Sequence, residues 1–223
     1  MTTLLLLPGW AYPGASLRPL ADALAPRMVA EIHSPASCRE QLVSSTGPVW
    51  LGGWSLGAMH AVSIADEFPD KVAGLLLIGF TARFCAESPT WPGTPVATVR
   101  GMARELMVQR ERVLRNFFVG SAAPQTLPPE GLDQRVEDTS MMSTETLSEG
   151  LHALRTVDLR PVLPTITCPV RLFAAAEDRI VPVAATLASA ALFPGARLKV
   201  HEGQGHELPL HDPGWIGRHF REG

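Results

Sequence analysis

A chain of 223 residues that is 46% hydrophobic, with mean hydropathy +0.11, can bury the core of one compact domain and is not composed like a disordered segment. Its formal net charge of −3 offers no global attraction for nucleic acid or for an anionic membrane, so neither is expected as a partner. Cys38, Cys85 and Cys168 are widely spaced with no C-x-x-C pair, which predicts neither a zinc site nor a disulfide framework and suits a reducing cytoplasm.

Leu4–Leu7 reads as a buried strand. The run lacks a positive flank and is too short for a signal peptide or a membrane span. It ends in the turn Pro8-Gly9-Trp10. Leu17, Leu20, Ala21 and Leu24 fall at helical spacing and predict a helix over Leu17–Leu24. Met28–His33 reads as a short strand and Cys38–Ser45 as one or two helical turns. Val49–Trp54 predicts a strand and Leu56–Phe68 a helix closed by Pro69. Val72–Ile78 is apolar enough to be buried in a parallel sheet. Residues 81–164 break the alternation: they are proline-rich, contain no convincing strand and are helical near Val96–Phe118 and Thr144–Thr156. Beyond them Val170–Ala175 is a strand, Thr186–Leu192 a helix, Ala196–His201 the last strand and Asp212–Phe220 a closing helix. The expected architecture is α/β, a mostly parallel sheet of about six strands. Residues 1–80 and 165–223 would form the core, with 81–164 inserted as a helical lid.

Within this pattern, Gly53-Trp54-Ser55-Leu56-Gly57 is a G-x-S-x-G sequence between a predicted strand and a predicted helix. That is the nucleophile elbow of an α/β-hydrolase, in which a sharp, strained turn lifts the serine hydroxyl above the sheet. The chain doubles back so tightly that the residues two before and two after the serine must be small. A serine nucleophile needs a base, and the base needs a carboxylate to hold its tautomer; in this fold they follow in the order Ser, Asp or Glu, His. Asp178, just past the strand Val170–Ala175, is the expected orienting acid, with Glu177 as the alternative. His206, in the glycine-rich loop after the last strand, is the expected base. The backbone N–H groups of Trp10 and Leu56 are the expected oxyanion donors. No metal-ligand set and no phosphate-binding loop is present, so the predicted chemistry is acyl transfer to water without a cofactor or metal. Trp10, Trp54, Leu56, Phe84, Phe117, Phe118, Met141 and Met142 are candidates for an apolar pocket beside Ser55.

Several segments carry a more specific resemblance: Leu7-Pro8-Gly9-Trp10, Trp50–Gly57, Trp91-Pro92-Gly93, Thr156-Val157-Asp158-Leu159-Arg160, and Glu177-Asp178-Arg179-Ile180-Val181-Pro182. Together the chain resembles the pimeloyl-acyl carrier protein methyl ester carboxylesterases of biotin synthesis. The resemblance implies a Ser55, Asp178, His206 triad, oxyanion donors at Trp10 and Leu56, and Phe84 as a pocket aromatic at the lid entrance. It implies hydrolysis of the methyl ester at the end of a pimeloyl chain held on acyl carrier protein. The chain departs from the family at Pro8, where histidine is usual, and lacks the D-x-x-G-x-G-x-S segment expected near residues 31–37. An acidic carrier would need a basic face, and Arg100, Arg104, Arg110, Arg112 and Arg115 on the first lid helix are the candidates; the rest of the lid is acidic. The alternatives are a general short-chain esterase, a C–C bond hydrolase of the same fold and a catalytically retired binding module. A cytoplasmic monomer is expected.

Overall fold

The computed structural model describes residues 2–25, 27–87 and 89–221. Strand β1 (Thr2–Leu7), helix α1 (Arg18–Leu24), β2 (Met28–Ile32), α2 (Pro35–Ser44), β3 (Val49–Trp54), α3 (Leu56–Glu67) and β4 (Val72–Ile78) form the first half of the core. Four helices follow: α4 (Val96–Leu106), α5 (Arg110–Ala122), α6 (Pro129–Glu137) and α7 (Thr144–Thr156). The chain then returns through β5 (Val170–Ala175), α8 (Val183–Ala190), β6 (Arg197–His201), α9 (Leu208–His211) and α10 (Pro213–Arg221).

The strands form one all-parallel sheet in the order β2-β1-β3-β4-β5-β6. The central strands are buried on both faces, and Leu4 to Leu7 are completely inaccessible. This explains why the central strands read as unbroken apolar runs and do not alternate. The chain starts at β1, steps out to β2, then crosses back to β3 on the other side of β1. That reversal opens a crevice at the carboxyl ends of β1 and β3, the usual ligand position in open α/β sheets. The predicted oxyanion turn follows β1 and the predicted nucleophile follows β3.

The helical segment differs from the sequence expectation in two ways. The stretch over Val96–Phe118 is two helices, broken at Met107–Gln109, where Gln109 adopts φ −142° and ψ 54°. Leu106 and Val113, seven residues apart, are both buried, so the apolar periodicity runs unchanged across the break and conceals it. Helix α6 was not expected at all. It buries no residue fully, and only Leu132 and Val136, partly buried against the core, mark its inner face.

The two connections between sheet and helices meet in one polar cluster. Arg83 and Asp158 pair as an antiparallel bridge, and the Leu159 N–H donates to the Ala82 carbonyl at 2.8 Å. Asp158 accepts from Arg83 Nη1 at 3.0 Å and from Arg160 Nη2 at 2.6 Å, while Arg160 lies over the Trp91 ring at 5.3 Å. The Trp-Pro-Gly and Thr-Val-Asp-Leu-Arg segments, separate in sequence, are thus two sides of one hinge. The Arg160 hydrogen bond is the main reason the Asp158 carboxyl falls from 3.8 to about 2. A depressed carboxyl contributes stability above its free value of 3.8 and loses it as pH falls through about 2. Asp158→Asn should therefore lower unfolding free energy at pH 7 by about 1–2 kcal/mol, allowing for the group's partial exposure. In urea titrations the gap between wild type and variant should narrow as the buffer is taken below pH 4; a gap constant with pH would exclude this origin.

Candidate active site

Ser55 sits between β3 and α3 with φ 56° and ψ −119°. A serine at positive φ is strained, and such strain survives only where its surroundings leave no alternative. Here the Ser55 N–H donates to the Ile78 carbonyl at 2.8 Å, and the Ser55 carbonyl accepts from the N–H groups of Ala58 and Met59. A Cβ on Gly53 would strike the Gly57 carbonyl, and one on Gly57 would strike the Leu7 carbonyl. The close approach predicted around the serine is the reason both positions are glycine. Leu56 is the first residue of α3, so its N–H has no intrahelical partner and lies where the helix dipole favours negative charge.

The turn after β1 is equally constrained. Tyr12 N–H donates to the Gly9 carbonyl at 3.2 Å, and Ala11 within the turn has φ 61°. The Trp10 indole N–H donates to the Leu147 carbonyl of α7 at 2.8 Å, and its ring meets Phe117 edge-on at 4.8 Å. The Trp10 side chain therefore fastens this turn to the lid.

Asp178 lies three residues past β5. Its Oδ1 accepts from the N–H groups of Ile180 and Val181, both at 2.8 Å, and its Oδ2 accepts from His206 Nδ1 at 2.7 Å. Asp178 is 8% exposed and His206 2%. A carboxylate on Nδ1 keeps the proton there and leaves Nε2 as an acceptor. Among the described residues His206 Nε2 is buried with no hydrogen-bond partner, a costly state that calls for an explanation. Glu177 is exposed; its N–H donates to the Gln204 carbonyl at 3.0 Å, so its backbone pins the base loop while its carboxylate faces solvent. The other histidines are engaged elsewhere: His201 contacts Asp212, His211 contacts Glu207, His152 contacts Arg155 and His33 contacts Glu31. Burial, with the charge of Arg39, lowers the pKa of His60 on α3.

A cavity of about 150 Å³ opens beside Ser55. Trp10, Phe84 and Phe117 line it. The other expected pocket residues lie elsewhere. Trp54 is fully buried, packs on Tyr12 at 4.1 Å and donates its indole N–H to the His206 carbonyl at 2.9 Å. It supports His206 from below. The Leu56 side chain packs beside Gly150 of α7. Phe118 turns its ring to Tyr12 at 5.4 Å. Met141 is 95% exposed in the α6–α7 connection, and Met142 packs on the core. These corrections share one cause: proximity to the elbow or the lid does not say which face of an element looks into the cavity. The remaining wall comes largely from α4 and α7, through Thr98, Val99, Met102, Leu151 and Leu154, with Thr94, Arg179 and Ile180 completing it. The i, i+3 spacing of Val99 with Met102 and of Leu151 with Leu154 is the signal that could have found them.

The arginines proposed for docking divide into two groups. Arg112 pairs with Glu105, Arg115 pairs with Glu111 and Asp133, and Arg110 donates to the Thr139 carbonyl. These three have partners within the lid, Arg112 while still largely exposed. Arg100 and Arg104 are exposed on α4, and neither has an ion-pair partner among the described residues.

Sequence reasoning also missed Tyr12 and Glu207. The Tyr12 hydroxyl donates to Glu207 Oε1 at 2.6 Å across 195 residues of chain, a separation at which no local pattern exists. Among the described residues no three His, Cys, Asp or Glu side chains are grouped to hold a metal ion, and no helix is long and apolar enough to cross a membrane.

A parallel sheet with a strained serine after its third strand, an acid after its fifth and a histidine after its sixth is the arrangement of the α/β-hydrolase fold, and the model of that fold family matches residues 41–213. Solved structures agree: a hydrolase from Oleispira antarctica superposes with TM-score 0.89 at 15% identity, covering 100% of this chain and 90% of that one. An esterase from Exiguobacterium antarcticum does so with TM-score 0.86 at 19% identity, covering 100% and 91%. In sequence, the chain is 32% identical to the pimeloyl-[acyl-carrier protein] methyl ester esterase of Stenotrophomonas maltophilia, covering 91% of this chain and 85% of that protein. The enzyme of the same name from Xanthomonas oryzae pv. oryzae is also 32% identical, over 91% of this chain and 87% of its own. The chain belongs to the family of pimeloyl-[acyl-carrier protein] methyl ester esterases.

Proposed function

We propose that this chain hydrolyses the methyl ester of a pimeloyl group carried on acyl carrier protein, through an acyl-serine intermediate, in the cytoplasm. Ser55 Oγ attacks the ester carbonyl carbon while its proton passes to His206 Nε2. The carbonyl oxygen, now an oxyanion, accepts from the N–H groups of Trp10 and Leu56. When the tetrahedral adduct collapses, His206 returns the proton to the departing methoxide, which leaves as methanol. Water, deprotonated by the same nitrogen, then releases the acyl group as a carboxylic acid. Asp178 holds His206 in the tautomer both steps require.

The observation that carries this reading is the buried His206 Nε2, without a hydrogen-bond partner among the described residues and oriented by Asp178, in a site where the strained Ser55 lines a largely apolar cavity. The cavity has room for about five water molecules. That suits a narrow methylene chain. The names of the relatives supply the pimeloyl and carrier parts of the proposal.

Carrier docking is assigned to Arg100 and Arg104, which are exposed and without ion pairs among the described residues, on the helix that walls the cavity. Reversing both to glutamate should raise KM for the carrier-bound ester about tenfold or more, since like charges at a rim repel an acidic partner. KM for p-nitrophenyl acetate should stay within about twofold of wild type. Equal effects on both substrates would remove docking from this face. Wild-type preference for p-nitrophenyl acetate over the carrier-bound ester would favour a general esterase.

A further inference from the structure

A buried carboxylate that the reaction does not use lies one residue from the base. Glu207 is completely inaccessible. Its Oε1 accepts the Tyr12 hydroxyl at 2.6 Å; its Oε2 accepts Arg135 Nη2 at 2.9 Å and lies 3.2 Å from His211 Nε2. Because the Tyr12 proton goes to Glu207, the Ser121 hydroxyl at 2.7 Å donates to the Tyr12 oxygen. One carboxylate thus joins the turn after β1, the base loop, α6 through Arg135 and α5 through Ser121. Burial alone would raise the Glu207 carboxyl. Hydrogen bonds from His211 and Tyr12, with the charge of Arg135, more than offset that and hold it below its ordinary range. Burial and the neighbouring carboxylate raise the Tyr12 phenol, so it remains a donor.

The connections close on themselves. Tyr12 stacks on Trp54, Trp54 donates to the His206 carbonyl, His206 is followed by Glu207, and Glu207 returns to Tyr12. Tyr12 also ends the turn that presents the Trp10 N–H, a turn strained at Ala11 with φ 61°. Such a turn persists only if both its ends are held. The base loop has an independent support beside the same residues: a Cβ on Gly205 would strike the Ala123 carbonyl.

We infer that Glu207 is a positioning residue for the reaction, setting the distance between the oxyanion donor of Trp10 and the base His206 through its bond to Tyr12, and locking both to the lid through Arg135. The inference rests on the serine-esterase reading above. It extends that reading to a group that touches neither substrate nor reacting atoms.

The test uses Glu207→Gln and Tyr12→Phe, singly and together, in the full chain, with p-nitrophenyl acetate and a fluorophosphonate probe for Ser55. Glutamine keeps the shape of the side chain; because Arg135 can only donate, the amide oxygen stays with it and the NH₂ faces the Tyr12 hydroxyl, which loses its acceptor, while phenylalanine keeps the ring that packs on Trp54. Each variant should lose about 10–100-fold in kcat, the scale of a small misplacement of reacting groups. KM should stay within about twofold, and labelling of Ser55 should slow in step with kcat. The double variant should be no slower than about twofold below the worse single one, because both break one connection. A residue that only stabilised the fold would lower the melting temperature and leave the kcat of folded protein unchanged. Folded variants with kcat within twofold of wild type would overturn the inference. Should Glu207→Gln not fold, Tyr12→Phe alone decides by the same criterion. Failure of the underlying reading is distinguishable: wild type itself would then show no hydrolysis and no labelling that Ser55→Ala removes, and the inference would fall with it.

Discussion

Ser55→Ala should lower kcat for ester hydrolysis by about 10⁵–10⁶-fold, the scale seen when a serine nucleophile is removed from an otherwise intact site. The residual rate would come from the oxyanion donors and the cavity, which the substitution leaves in place. The fold should be unaffected, because alanine at this position occupies the same strained backbone, φ 56° and ψ −119°, that serine does. Single-turnover assays with a circular dichroism melt on the same sample make the comparison. Turnover within tenfold of wild type in the folded variant would remove Ser55 as nucleophile. Ser55→Gly is the informative companion. It should be as inactive as alanine yet more stable by about 1 kcal/mol, because glycine occupies a positive φ without the steric cost that serine bears. A glycine variant no more stable than alanine would mean that the strain inferred from the backbone angles is absent.

Asp178→Asn should lower kcat by about 10⁴-fold without unfolding the protein. The isosteric amide keeps an oxygen for the N–H groups of Ile180 and Val181, now held at 2.8 Å by Oδ1. That requirement aims its NH₂ at His206 Nδ1, where Oδ2 now accepts at 2.7 Å. Two donors cannot face each other, so the imidazole must move its proton to Nε2. A protonated Nε2 cannot take the serine proton, and no carboxylate then stabilises the imidazolium. The size of this loss separates Asp178 from Glu177, whose exposed carboxylate should tolerate Glu177→Gln within about twofold. Parallel kcat measurements on the two variants decide the matter, and similar losses in both would refute the assignment of the orienting acid. The buried Asp178–His206 pair must also stay folded for the assay to be meaningful, and the two backbone donors retained by asparagine are the reason to expect that it does.

Around these residues, legibility in sequence followed the range of the interaction. The elbow is local: a strand, a one-residue turn and a helix, with glycines wherever a Cβ would meet backbone. Four apolar runs separated by helical segments leave a parallel sheet as the arrangement that buries them, with the more polar β2 and β6 at its edges. The candidate acid and base were readable because each follows a strand end, and every strand end of a parallel sheet points the same way. Helix α6 offers only the pair Leu132 and Val136 as a period, and the break at Met107–Gln109 was hidden by a matching one.

By itself, then, the amino-acid sequence determined the sheet, the elbow and the order of the candidate triad, since these depend on contacts between near neighbours and on the shared direction of the strands. Only the tertiary structure decided which side chains face the cavity. It turned Trp54 toward the His206 carbonyl and left Met141 in solvent, because a residue's face depends on how its element is rotated in the packed molecule. It also gave Arg110, Arg112 and Arg115 partners within the lid and left Arg100 and Arg104 without ion pairs among the described residues. Above all it joined Tyr12 to Glu207. Burying a carboxylate is tolerable only when its oxygens find donors, and beside the neighbouring His211 these are Tyr12 and Arg135, from segments of the chain that meet it nowhere but in the folded protein.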